Sequence, residues 1–153
     1  MMEKHPILIT CPKGMPPFLR QEVLTLGFPV LSEMVSGIET EGAFEDTLRL
    51  NLFIRTGHRV LFLLREFEAD SPQELYRQTF RIPWEEYFEK NQYLTVTSSV
   101  DHPAIRDSRY ANLKCKDAIV DRFFQKFGER PDSGPGRNQV VVHLFWRNRQ
   151  CRL

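Results

Sequence analysis

The sequence predicts an α+β chain, and three observations carry that prediction. Short apolar runs of strand length alternate with stretches of helical spacing. Glycine and proline punctuate the joints between them. Composition then allows a folded core, with 41% hydrophobic residues and 12 Phe in 153 residues. The first half orders its elements β-α-β-β-α-β, the ferredoxin-like arrangement, and a second α/β unit follows.

Residues 6–10 read as a buried strand through Ile7, Leu8 and Ile9, and Cys11-Pro12-Lys13-Gly14 as a turn. A helix is predicted over 16–26, with Phe18, Leu19, Val23 and Leu26 inward and Gly27 stopping it. Residues 28–36 form the next strand, Gly37 a tight turn and 38–40 the return strand. Gly42 precedes a second helix to about residue 55, with Phe44, Leu48 and Leu52 on one face and Gly57 at its end. The run 58–67 is apolar on both pleat faces, the pattern of a strand covered on both sides. The acidic stretch 66–70 marks a boundary, which gives domains over 1–68 and 69–153.

Ser71-Pro72-Gln73-Glu74 is a capping box with proline at the first helical position, and it starts a helix with Leu75, Tyr76 and Phe80 inward. Trp84, Tyr87 and Phe88 suggest a short second helix, and 93–100 alternates as a half-buried strand. The next helix opens at Asp107 or Ser108, each able to accept an orphan backbone N–H, and closes at Gly128. Within it Tyr110, Leu113, Val120, Phe124 and Phe127 follow three-then-four spacing and form one stripe. Lys116 and Asp117 fall on or beside that stripe, whereas Lys114, Asp121, Arg122, Gln125 and Lys126 point away. Lys116 can lay its stem over apolar neighbours with its head in water, and a buried Asp117 needs a partner. A loop rich in Pro, Ser, Gly and Asn spans 130–138, a strand 139–146 and a basic turn 147–150. Cys151-Arg152-Leu153 reads as the opening of a strand that is cut off.

No apolar run approaches the roughly 18 residues of a membrane span. Met1-Met2-Glu3-Lys4-His5-Pro6 lacks the basic-then-apolar order of a secretory signal. Cys11, Cys115 and Cys151 are odd in number and contain no Cys-x-x-Cys pair, which fits a reducing cytoplasm rather than a disulfide framework or a zinc site. The four histidines show no metal spacing. Charge is divided unevenly: residues 1–101 hold 10 Lys/Arg against 15 Asp/Glu, and residues 102–153 hold 11 against 5. That asymmetry points the C-terminal half at a polyanion. The other reading is that the basic residues scatter over a solvated surface or pair with the acidic half.

Cys11, just before a helix N-terminus, is the first catalytic candidate, since such a thiol can be activated as a nucleophile; it has no convincing His or Asp partner in the sequence. Gly134-Pro135-Gly136 does not lead from a strand into a helix, so it is no phosphate cradle. The Asp/Asn-Pro-Pro-aromatic signature of amino-group methyltransferases is absent. The chain is therefore read with no catalytic, cofactor-binding or metal residues of its own. The basic residues are the functional candidates: Arg106 and Arg109 at the helix start, Lys114, Lys116, Arg122 and Lys126 along it, and Arg147, Arg149 and Arg152 around the last turn. Such a set suits an RNA backbone, bound with steep salt dependence and recognised by shape.

Ile105-Arg106-Asp107-Ser108-Arg109-Tyr110 and Leu113-Lys114-Cys115-Lys116-Asp117-Ala118-Ile119-Val120-Asp121 closely resemble the THUMP segment of a bacterial family, the SAM-dependent guanine-N2 methyltransferases of large-subunit (23S) ribosomal RNA. The family pattern runs roughly I-R-x-S-Q-Y-x-A-x-K-V-K-D-A-I-V-D; here Arg109 replaces the Gln, Asn112 the Ala and Cys115 the Val. Cys11-Pro12-Lys13-Gly14, Gly37-Ile38-Glu39-Thr40-Glu41-Gly42, and Asn51-Leu52-Phe53-Ile54-Arg55-Thr56 with Arg59-Val60 resemble other elements of that family. The resemblance implies a ferredoxin-like domain followed by a THUMP domain that binds structured large-subunit precursor rRNA in the cytoplasm. It also implies a C-terminal methyltransferase domain of the same protein, using S-adenosyl-L-methionine, and no membrane partner. By position it implies that Arg106, Arg109, Lys114 and Lys116 face RNA and that Asp117 holds the helix. The alternative is a non-catalytic protein-interaction or regulatory module with a basic partner surface.

Overall fold

The computed structural model describes residues 3–136 and 139–153. Met1 and Met2 of the N-terminal reading, and Arg137 and Asn138 of the predicted loop, lie outside the described residues. The chain divides into two compact units between Leu64 and Arg65.

The first unit contains β1 (His5–Thr10), α1 (Pro16–Thr25), β2 (Ser32–Met34), β3 (Gly37–Gly42), α2 (Asp46–Phe53) and β4 (Arg59–Phe62). Its sheet has the order β2-β3-β1-β4 with every neighbour antiparallel, which is the ferredoxin-like topology. Alternation puts Ile7 and Ile9 of β1 and Ile38 of β3 on one face, where they are buried with Leu19 and Val23 of α1 and Leu50 of α2. Pro16 and Pro17 open α1, and Gly27 follows its end at φ 88°.

Three expectations are corrected here. Phe18 is not inward: it is 61% exposed, and Leu19 and Val23 carry the contact. The inner face of α2 is Thr47 and Leu50, whereas Phe44, Leu48 and Leu52 are exposed. The physical reason is that leucines at 48, 50 and 52 offer two incompatible stripes. Thr47 can join the buried one because its hydroxyl donates to the Phe44 carbonyl at 2.6 Å. Gly37 is also not the turn; it begins β3, opposite Thr10. A Cβ there would meet the Ile9 carbonyl oxygen at 2.9 Å, so close strand approach explains the glycine.

The second unit contains β5 (Glu66–Glu68), α3 (Pro72–Phe80), a 3-10 turn (Trp84–Glu86), β6 (Leu94–Asp101), α4 (Ser108–Phe127), β7 (Val140–Arg147) and β8 (Gln150–Arg152). The sheet order is β5-β8-β7-β6. β6 and β7 are parallel, so they need a crossover, and α4 supplies it. The single strand expected over 58–67 is two strands, β4 and β5, in two different sheets. Residues 150–152 pair with β7 on one side and β5 on the other, and Arg65 and Leu153 exchange backbone bonds beyond them.

The serine half of the capping box is formed, and the glutamate reaches one residue further back than the box requires. Ser71 Oγ accepts from the Glu74 N–H at 3.2 Å, and the Glu74 carboxylate accepts from the Asp70 N–H at 2.7 Å. Both tryptophans are fully buried with their N–H satisfied, Trp84 donating to the Thr79 carbonyl and Trp146 to that of Ala69. α4 starts at Asp107, whose carboxylate accepts from the Arg109 N–H, and ends at Gly128 with φ 72°. Its predicted apolar stripe is corrected: Tyr110, Leu113, Phe124 and Phe127 are exposed, and of that set only Val120 is buried. Ala111, Cys115, Ala118, Ile119 and Phe123 form the inner face instead. These residues also recur at three-to-four spacing, and Ala111, Cys115 and Ala118 among them are smaller than the predicted set.

Truncating the two leucines of α2 tests which face is inward. Leu50→Ala should cost about 2–5 kcal/mol in denaturant unfolding, and Leu52→Ala, at 77% exposure, less than about 0.5 kcal/mol.

Candidate nucleic-acid interface

Parallel pairing of β6 and β7 sets Asp101 opposite Arg147, so the strands end together and the chain turns from there into α4. His102 stacks on Trp146 with ring centroids 4.6 Å apart, and the Asn148 N–H donates to the Asp101 carbonyl. This end of the sheet therefore gathers Arg106, Arg109 and Arg147. Lys114 lies farther along α4, and Arg122 and Lys126 lie towards its other end; the helix is 20 residues long, about 30 Å at 1.5 Å per residue.

Ion pairing sorts these cations. Arg109 forks onto Asp107, with Nη2 to Oδ2 at 2.6 Å, and the pair is exposed. Lys116 Nζ is 3.5 Å from Asp117, a carboxylate that is half-exposed rather than buried. Arg147 stands 3.9 Å from Asp101, and Arg149 pairs with Asp70 at 2.8 Å. Among the described residues, Arg106 and Lys114 have no carboxylate partner; Lys114 Nζ sits 5.7 Å from the Tyr110 ring centroid.

Arg122 differs from all of these. It does not point away into solvent, as its spacing suggested, since its side chain is only 18% exposed. Nε and Nη2 each reach the Glu85 carboxylate at 2.6 Å, and Nη1 donates to the Phe80 carbonyl at 3.1 Å. Lys126 also bonds Glu85. The Arg122 bond, followed by that of Lys126, outweighs desolvation and holds the Glu85 carboxyl at about 2. Arg122 is thus the clamp that joins α4 to the end of α3 and the 3-10 turn.

Cys11 is corrected as a catalytic candidate. It is buried, and burial, followed by the charge of Glu33, pushes its thiol up, opposite to activation. Sequence reasoning passed over Arg77 of α3 and Arg81 just past its end. They are exposed and without carboxylate partners among the described residues, and only the packing of α3 against α4 brings them near Lys114. No signal in the sequence sets them apart from other surface arginines.

These elements define a two-unit α+β chain, a ferredoxin-like unit followed by a mixed sheet with a helical crossover. The model of the RlmL ferredoxin-like domain matches residues 6–61, and that of the THUMP domain matches residues 69–153. The chain belongs to the THUMP domain family, with the RlmL ferredoxin-like domain ahead of it. It is 36% identical to the ribosomal RNA large subunit methyltransferase K/L of Syntrophotalea carbinolica, over 94% of this chain and 20% of that protein. The chain spans about a fifth of the length of the curated relatives it matches. Among solved structures, SMU.472 complexed with SAH superposes at a TM-score of 0.79 with 22% identity, over 99% of this chain and 41% of that one. A 4-thiouridine synthetase in complex with RNA and ATP superposes at 0.56 with 12% identity, over 98% of this chain and 40% of that one. Both are likenesses of fold.

Glu85 makes the clamp visible in acid. Its carboxyl is depressed from 4.5 to about 2, so its stabilisation is fully present above pH 4.5 and is lost as pH falls from there towards 2. Glu85→Gln should lower stability by roughly 3 kcal/mol at neutral pH, and the gap to the unsubstituted chain should close by about pH 2. Arg122→Gln should lower the melting temperature at pH 7, whereas Arg106→Gln should leave it unchanged; thermal unfolding followed by circular dichroism checks both.

Proposed function

We propose that this chain is the RNA-binding N-terminal region of a SAM-dependent methyltransferase that methylates guanine N2 in large-subunit rRNA. In this reading the ferredoxin-like unit, to Leu64, and the THUMP unit, from Arg65, deliver structured precursor rRNA to a catalytic domain elsewhere in the protein. The observation that carries the reading is the match of both units, along 94% of the chain, to a ribosomal RNA large subunit methyltransferase K/L.

Arg106 and Lys114 are the leading phosphate contacts, because no carboxylate competes for them among the described residues. Arg109, Lys116, Arg147 and Arg149 must exchange exposed carboxylate partners for phosphates, which at the surface costs little. Lys126 is half-exposed and can do the same, while Arg122 acts by holding α4 in place.

S-adenosyl-L-methionine would supply the methyl group in the parent enzyme. The described residues do not fit that cofactor: the Gly134-Pro135-Gly136 segment precedes a strand rather than a helix, and Thr95 closes it by donating to the Gly134 and Gly136 carbonyls. Three free, buried cysteines support a cytoplasmic setting, and among the described residues no helix is long and apolar enough to cross a membrane. A second reading, a protein-interaction module, draws on the exposed Phe18, Leu48 and Leu52 of α1 and α2.

Titrating the chain with a large-subunit rRNA fragment at several salt concentrations tests the proposal. Log affinity should fall linearly with log salt, and Arg106→Glu with Lys114→Glu should weaken binding at least tenfold. Flat, weak binding overturns the RNA reading and favours a protein partner.

A further inference from the structure

Between α3 and α4 lies an open groove of about 420 Å³, lined by Gln73, Tyr76, Arg77, Phe80, Arg81 and Lys114. Three of these six side chains are cations and none is a carboxylate. This departs from the unit's usual pattern, in which Arg109, Arg122, Lys126, Arg130, Arg149 and Arg152 all have acidic partners. Among the described residues, Arg77, Arg81 and Lys114 have none. The neighbouring acids are already engaged: Asp121 accepts from the Tyr76 hydroxyl at 2.6 Å and pairs with Arg130 at 3.0 Å, and Asp117 pairs with Lys116.

The walls of the groove are held at a set separation. The Tyr76–Asp121 bond ties the middle of α3 to α4, and the Arg122 bond to the Phe80 carbonyl ties the end of α3 to the same helix. The Tyr76 and Phe80 rings lie within 22° of parallel, 6.2 Å between centroids, and give the groove an aromatic side. Three like charges lining one groove repel each other, and an anion held between them would relieve that repulsion. Arginine forks and a lysine point charge match phosphate oxygens, and aromatic rings match a ribose or an unstacked base.

We propose that the α3–α4 groove binds a phosphodiester segment of RNA, with Arg77, Arg81 and Lys114 on its phosphates and Tyr76 and Phe80 against the sugar or an unstacked base. The proposal rests on the RNA reading above. It extends the RNA path from the crossover helix onto α3, in the acidic half of the sequence.

The test is a fluorescence-anisotropy titration of the whole chain with a large-subunit rRNA fragment between 50 and 200 mM salt. The variants are Arg77→Gln/Arg81→Gln, Arg106→Gln and, on the first unit, Arg20→Gln. Both groove arginines are exposed, so the double variant should keep the melting temperature of the original chain. Its slope of log affinity against log salt should be shallower by about 2, with affinity at 50 mM salt reduced roughly tenfold or more. Arg20→Gln should leave both unchanged. If the original chain binds with a steep slope and the double variant keeps it, the groove assignment falls and the RNA reading stands. An equal loss in Arg20→Gln would show a general charge effect and also overturn the groove. If the original chain shows no salt-sensitive binding, both fall together.

Discussion

The second unit depends on the parallel pairing of β6 with β7. Parallel neighbours cannot be joined by a tight turn, so the chain must leave the end of β6, cross the sheet and return. α4 makes that crossing, and the other elements are fixed to it: α3 through Tyr76 and Asp121, and the 3-10 turn through Glu85 and Arg122. The crossover also decides where charge can gather. The ends of two parallel strands and the start of their connecting helix meet at one place, and Arg106, Arg109 and Arg147 come with them.

The electrostatics follow from that scaffold more than from composition. The C-terminal half carries the excess of Lys and Arg, yet much of it is matched by carboxylates from the acidic stretches earlier in the chain. Glu66, Asp70 and Glu85 meet Arg152, Arg149 and Arg122. Among the described residues of the second unit, the cations without a carboxylate partner come from both halves of the sequence. Arg77 and Arg81 belong to the acidic half by sequence, but α3 sets them beside Lys114. Most surface pairs contribute little to stability, so they can exchange partners; the shielded Glu85 pair is the exception.

Punctuation made the fold class legible. Gly27 and Gly128 adopt the left-handed conformation that ends a helix, Asp107 and Ser71 cap as their side chains dictate, and the β-α-β-β-α-β order holds. Helix faces were least legible where two apolar stripes competed. α2 and α4 each carry two, and tertiary packing chose the stripe with the smaller residues in α4 and the one with a self-satisfied threonine in α2. The break between β4 and β5 was hidden because Leu63 and Leu64 prolong the apolar run, while the partner of β5 lies more than 80 residues away. Ion-pair partners were hidden for the same reason. Nothing local to Arg122 points to a glutamate 37 residues earlier.

The pairing of β5 with β8 bears on how this module can be separated or exchanged. β5 is a three-residue edge strand with a glutamate at each end, the short, charged kind that discourages further strands from adding to a sheet. A cut at the acidic boundary, before residue 69, would leave β5 with the wrong fragment and bare the backbone donors and acceptors of β8. The fragment beginning there would carry an open edge, prone to self-association, whereas one beginning at Arg65 would keep its own cover.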